Sequence, residues 1–196
     1  SLGAKVCEQP WLGNGFQKRI GEEKAKNNWV LDIDADEIVT DEMADEITKL
    51  FEKGTPDIDG FLTPIITVPP FGKPWYNFAR ASRVKLYNKS KVRIPEHKAW
   101  DQFKLDNLKI KKLKHGLLHP SFTGIHMHLD KLNKYSTMLA NLPSKKTLLE
   151  ITLRIWLGIP FYFIHKFIFR GMFRAGTYGF TLSISSAIGR WLKDVK

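Results

Sequence analysis

The segment from Trp29 to Glu37 constrains this chain most: Trp-Val-Leu-Asp-Ile is mostly apolar and β-favouring, and Asp32, Asp34, Asp36 and Glu37 crowd its end. Such a run fits a short buried strand better than a helix. Four carboxylates in six positions repel one another, and a fold tolerates the repulsion when a cation neutralises them. Open α/β sheets place ligands beyond the carboxyl ends of their strands, so the segment predicts an α/β fold with its site here. Asp34 and Asp36 share one side of an extended strand and can direct two hard oxygens to one Mg²⁺ or Mn²⁺. Alternation makes Asp32 a third member of that side. The other reading of the same acids is a loop whose charges favour the following helix amino terminus.

The rest of the chain supports alternation of helices and strands. Gly13-Asn14-Gly15 precedes a polar, helix-favouring run from Phe16 to Lys26. Thr40 or Asp41 can cap a second helix with Met43, Ala44, Ile47, Leu50 and Phe51 on one face, stopped by Gly54-Thr55-Pro56. Phe61–Val68 and Arg83–Tyr87 read as strands, joined by a long aromatic loop containing Pro69-Pro70 and Lys73-Pro74-Trp75, a candidate binding loop. Ala4-Lys5-Val6 reads as a short strand after a helix ending at Gly3.

Charge is segregated. The chain of 196 residues carries 31 Lys and Arg against 20 Asp and Glu, a net +11. Residues 31–60 hold 11 of the acids against Lys49 and Lys53 alone, so the remainder is strongly basic and suits anionic partners. The 43% hydrophobic content excludes a disordered chain, and a lone Cys7 excludes a disulfide scaffold.

The last quarter changes character. Thr147-Leu-Leu-Glu150 is a capping box, followed by an apolar stretch to Pro160 and a second from Phe161 to Phe169, each too short to span a membrane. Residues 151–196 hold seven basic residues among many aromatics, which reads as helices lying in a membrane interface; packing on their own domain is the alternative. A final helix from about Phe180 to Val195 shows Ile184, Ile188, Trp191, Leu192 and Val195 on one face. The expected division is a catalytic domain over 1–142 and a helical membrane-associating tail over 143–196.

Several segments together resemble the family 2 glycosyltransferases of GT-A fold, in particular bacterial lipopolysaccharide-core β-glucosyltransferases. They are Ala4-Lys5-Val6, Gln17-Lys18, the 29–37 block, Lys85-Leu86-Tyr87 where the family usually has Arg-Leu-Phe, and Leu118-His119. Lys131-Leu-Asn-Lys-Tyr-Ser136, Arg170-Gly171 and Gly176-Thr-Tyr-Gly-Phe180 extend the likeness to the tail. The resemblance implies a partial GT-A mixed sheet with carboxyl-terminal amphipathic helices. It also implies inverting hexosyl transfer from a nucleotide-sugar, usually a UDP-sugar, to a lipopolysaccharide-core or lipid-linked acceptor in cell-envelope synthesis. The enzyme would be cytoplasmic and peripheral on the inner face of an anionic cell membrane.

On that resemblance Asp34 and Asp36 hold a divalent ion, Mg²⁺ or Mn²⁺, on the donor diphosphate, and His119 joins the metal or diphosphate site unless it is satisfied inside the fold. Gln17, Lys18 and Asp34 contact the nucleotide-sugar; Lys85 pairs with phosphate or is a solvated strand residue. The general base is Asp101 where the family has a glutamate in Val-His-Glu, with Trp100 replacing the histidine; Glu96, beside His97, competes for the role. The family's front, a Pro-x-x-Asn-Glu strand and an Asp-x-x-Ser-x-Asp turn that grip uracil and ribose, does not occur between Ser1 and Trp29. The expectation is therefore weak donor binding and an inactive or very weak enzyme. The alternative is a basic membrane- or nucleic-acid-binding module without catalysis, carried by five lysines from Lys104 to Lys114 among Phe103, Leu105 and Ile110. Nucleic acid is the less expected partner, since no nucleic-acid motif appears and the clustered carboxylates would repel phosphate.

Overall fold

The computed structural model describes residues 3–79, 81–120, 123–143 and 146–196, and it is mixed α/β with its long helices towards the carboxyl end. This is the expected fold class, compatible with a partial GT-A-like fold. The chain forms two compact units. The first takes the residues up to Asp34, Thr40–Pro64 and Ser82–Gly116; the second takes Ala35–Val39, Ile65–Ala81 and Leu117–Lys196.

In the first unit, α1 (Asn14–Lys24) leads to β1 (Trp29–Leu31), α2 (Asp41–Phe51), the first part of β3 (Gly60–Thr67), β4 (Ala81–Asn88) and β5 (Ile110–Lys112). β1 runs antiparallel to β4, with Val30 opposite Tyr87, and β5 runs parallel to β3, with Phe61 opposite Lys111. Thr40 caps α2 by accepting from the Met43 amide at 3.2 Å, and the spacing of its apolar residues turns Met43 fully inward while Ala44 stays exposed. Trp29 meets Phe51 edge-on at 5.2 Å and Phe61 at 5.8 Å, so strand and helix close over one apolar layer. Lys111 and Lys112 stand exposed on β5, a solvated strand face. The strand expected at Ala4–Val6 does not form: residues 4–13 hold no regular element and Val6 is 89% exposed.

The second unit contains β2 (Ile38–Val39), the rest of β3, β6 (Leu117–His119), α3 (Ile125–Ala140), α4 (Leu148–Ile164) and α5 (Gly176–Val195). β6 lies between β3, to which it is parallel, and β2, to which it is antiparallel. The capping box of α4 forms, with Glu150 reaching back to the Thr147 amide at 2.8 Å. The aromatic loop after β3 folds inward in part: Trp75 packs with Met172 and Leu182 and stacks on Phe78 at 5.3 Å, while Phe71 remains exposed.

Two expectations for the tail are corrected. The two apolar pieces are continuous, because α4 runs through Pro160 and on into a π-helical turn, His165–Phe169. Proline removes its own N–H and crowds the carbonyl four residues back, that of Trp156, yet the helix continues past it. The resulting segment, Leu148–Phe169, is long and apolar enough to cross a membrane by length and composition, and almost none of it is buried. On α5, Ile188 and Val195 stand exposed, and the buried positions include Gly179, Ser183, Ala187 and Gly189. A Cβ on Gly179 would lie 1.9 Å from the Met172 carbonyl oxygen, so close backbone approach, rather than a broad apolar stripe, seats this helix.

Candidate active site

The amino end of α1 is clamped to the loop before Asp101. Asn14 and Gly15 amides donate to the Lys98 and His97 carbonyls, each at 3.0 Å, and the Asn14 side chain donates to the Ala99 carbonyl at 3.0 Å. Gly15 permits the approach, since a Cβ there would sit 2.1 Å from the Pro95 carbonyl oxygen. His97 Nδ1 accepts from the Ala99 and Trp100 amides at 3.0 and 3.1 Å and so shapes the turn that delivers Asp101.

That clamp brings Lys18 among three carboxylates. Its Nζ lies 2.8 Å from Asp32 Oδ2, 2.8 Å from Asp34 Oδ1 and 3.0 Å from Asp101 Oδ2. Lys85 Nζ, nearly buried on β4, donates to Asp34 Oδ2 at 2.9 Å. Burial alone would lower the Lys18 ammonium, but Asp32, Asp34 and Asp101 raise its pKa well above the ordinary lysine value. Burial alone would raise the Asp34 carboxyl, and hydrogen bonds from Lys18 and Lys85 outweigh it and hold that carboxyl below its ordinary value. The first unit therefore answers the crowding of acids at the strand end with two lysines.

This fixes a sign. Asp34, its folded pKa depressed, contributes stability that is fully present above the ordinary aspartate value of 3.8 and lost as pH falls through the folded value. Asp34→Asn is expected to flatten the acid limb of a urea-stability profile below about pH 4. An unchanged acid limb would contradict the pairing.

Asp101 joins this cluster and is 27% exposed. Glu96 does not: it is 58% exposed and reaches Arg19 at 3.8 Å. Gln17, one residue before Lys18, carries a buried Oε1 with no hydrogen-bond partner among the described residues. In the second unit Asp36 Oδ2 lies 3.2 Å from His119 Nε2, both side chains solvent-accessible. Asp32 is the member of the cluster that alternation singled out, and its backbone N–H donates to the Lys85 carbonyl at 2.8 Å.

Among the described residues no group of three or more His, Cys, Asp or Glu stands close enough to hold a metal. The Asp36 and His119 pair nevertheless fits a divalent ion of the kind that takes one or two protein ligands and fills its shell with phosphate oxygens and water. Asp34, by contrast, has both oxygens engaged by lysines.

Sequence reasoning missed Glu22. Its side chain is fully buried on α1, accepts from the Tyr87 hydroxyl and the Ile94 amide at 2.9 Å each, and pairs with Arg93. The partners lie 65–72 positions away, and no local pattern marks them.

Comparison with known proteins places the chain in a family. An uncharacterised glycosyltransferase of Rickettsia bellii (strain RML369-C) is 32% identical, the alignment covering the whole chain and 70% of that protein. Those of Rickettsia typhi (strain ATCC VR-144 / Wilmington) and Rickettsia conorii (strain ATCC VR-613 / Malish 7) are each 31% identical, again over the whole chain, covering 70% and 73% of their own lengths. The chain belongs to this family of bacterial glycosyltransferases. No family model matches the chain, and no solved structure does.

Proposed function

We propose that the protein is an inverting, family 2 hexosyltransferase of GT-A type that takes a sugar from a UDP-sugar. The observation that carries the reading is the convergence of Asp32, Asp34 and Asp101 on Lys18 at the strand end. Asp101 is the general base: it removes the proton from the acceptor hydroxyl as that oxygen attacks the anomeric carbon. Its place in the cluster favours it over Glu96, which pairs outward with Arg19. Lys18 and Lys85, oriented by Asp34, offer positive charge to the donor's phosphates. The unpartnered Gln17 oxygen accepts from a donor N–H or hydroxyl of the nucleotide-sugar. Within the second unit, Asp36 and His119 would hold Mg²⁺ or Mn²⁺, an ion that when bound supplies positive charge to phosphate oxygens.

The acceptor is an amphiphile, a lipopolysaccharide-core or lipid-linked glycan, and the protein is peripheral on the cytoplasmic face of an anionic membrane. Support comes from α4, where Leu149, Leu153, Trp156, Leu157, Phe161 and Ile164 form an exposed apolar stripe. Arg154 faces away from it, paired with Asp194 at 2.9 Å.

The test is calorimetric titration of UDP with Mn²⁺ into the chain. The expected result is weak, metal-dependent binding that Asp36→Ala reduces by at least about tenfold. Binding that is equally strong without Mn²⁺ and in Asp36→Ala would count against the metal assignment, and no binding at all against the donor reading.

A further inference from the structure

The helical unit buries a cation that the transfer chemistry does not use. Lys166 sits in the π-helical turn His165–Phe169, closed by the Arg170 amide donating to the His165 carbonyl at 3.0 Å. π-Helical turns place a residue out of the regular helical register and are frequent at functional sites. Here the turn aims Lys166 inward, where its Nζ donates to Ser186 Oγ on α5. His128 Nε2, from α3, stands 3.4 Å from the same oxygen. Three elements thus converge on one hydroxyl.

No carboxylate answers this ammonium among the described residues. Residues 117–196 hold eleven Lys and Arg against Asp130, Glu150 and Asp194. Asp194 is committed to Lys146 and Arg154, and Glu150 to the capping box. Burial, with Arg190 and Arg170 adding repulsion, pushes Lys166 down to about 8, so it remains charged at neutral pH. Burial, with Lys166 and Lys131, pushes His128 down to about 4 and keeps it neutral. Arg190 stacks over the Tyr162 ring at 4.9 Å, close by. A half-buried cation using one of its three donors, edged by further cations, is costly in an apolar surround unless an anion joins it.

We propose that Lys166, Ser186 and Arg190 form an anion site, with Arg170 and Lys131 around it, that binds a phosphoryl group. The ammonium and guanidinium supply charge-assisted donors to its oxygens, and the Ser186 hydroxyl completes the set. The exposed apolar stripe on the same α4 helix suits a phosphoryl group carried by an acyl chain, as in a lipid headgroup, and a free phosphate presents the same chemistry. The lipid source rests on the membrane reading above; binding of free phosphate does not.

The experiment compares the 196-residue chain with Lys166→Met and Arg190→Gln. Thermal melting is followed in inorganic phosphate against chloride of matched ionic strength. Flotation is measured with phosphatidylcholine vesicles with and without phosphatidic acid. Lys166→Met should fold at least as stably as the parent without phosphate, because it removes an uncompensated charge. For the parent, phosphate should raise the melting temperature by about 2–4 °C. Phosphatidic acid should strengthen vesicle binding about tenfold. Both effects should vanish in Lys166→Met and weaken in Arg190→Gln, while UDP and Mn²⁺ titration stays as in the parent. A response to phosphate alone assigns the site to a free phosphate, and a response to vesicles alone to a lipid headgroup. No response in the parent, or an equal response in Lys166→Met, overturns the site. Loss of UDP binding in the parent with phosphate binding intact would strike the donor reading and leave the anion site standing.

Discussion

Glu22→Ala is expected to cost the first unit about 3–5 kcal/mol, the range for breaking a buried ion pair. The carboxylate is fully buried and collects the Tyr87 hydroxyl, the Ile94 amide and the Arg93 guanidinium, with Arg19 at 3.8 Å. Truncation leaves two buried donors unanswered, and each such group costs about 1–3 kcal/mol. Arg93 adds less than its geometry suggests, because its side chain is 40% exposed and solvent screens it. Glu22→Gln keeps an acceptor in place and should recover part of the loss. Urea denaturation of the two variants beside the parent decides the matter: a loss below about 1 kcal/mol in Glu22→Ala would reduce the clamp to a surface-like contact.

The second large effect concerns chemistry. Asp101→Asn should lower sugar-transfer turnover by about 10²–10⁴-fold, the usual contribution of a general base, with donor KM changed only a few-fold. Asparagine preserves shape and one acceptor oxygen, so the Lys18 cluster keeps its outline. Glu96→Gln, on an exposed side chain outside the cluster, should remain within about threefold of the parent. Turnover of a radiolabelled UDP-sugar by both variants separates the two carboxylates. Should Glu96→Gln collapse while Asp101→Asn survives, the base is Glu96.

What sequence made legible was local. The Thr40 cap, the Met43 face of α2 and the Thr147–Glu150 box depend on residues within a few positions of one another, and all three form. The acidic strand end was equally plain, and Asp32, Asp34 and Asp101 do come together. Their neutralisation by Lys18 was not legible, because it depends on Gly15 lying against the Pro95 carbonyl 80 positions away in sequence. The core face of α5 escaped hydrophobic periodicity for another reason: Gly179, Ser183 and Ala187 are buried by close approach of backbones, which apolar spacing does not register. Arg170-Gly171 and Gly176–Phe180, noted only as likeness, acquire a cause. Gly171 adopts φ 74°, and Gly179 admits the Met172 carbonyl.

The chain passes between its two units at Asp34, Val39, Pro64, Ala81 and Gly116. No single peptide cut can release either unit with all of its own segments. β1 must await β4 nearly sixty residues later, and β2 must await β6 about eighty later, before either strand is paired. Pairings between such distant partners slow folding, because the entropy of closing each loop is lost before any contact rewards it. During synthesis the first third of the molecule therefore emerges with its strands unsatisfied. α5 packs on α4 and α3, both already made when it appears, so it can assemble at once.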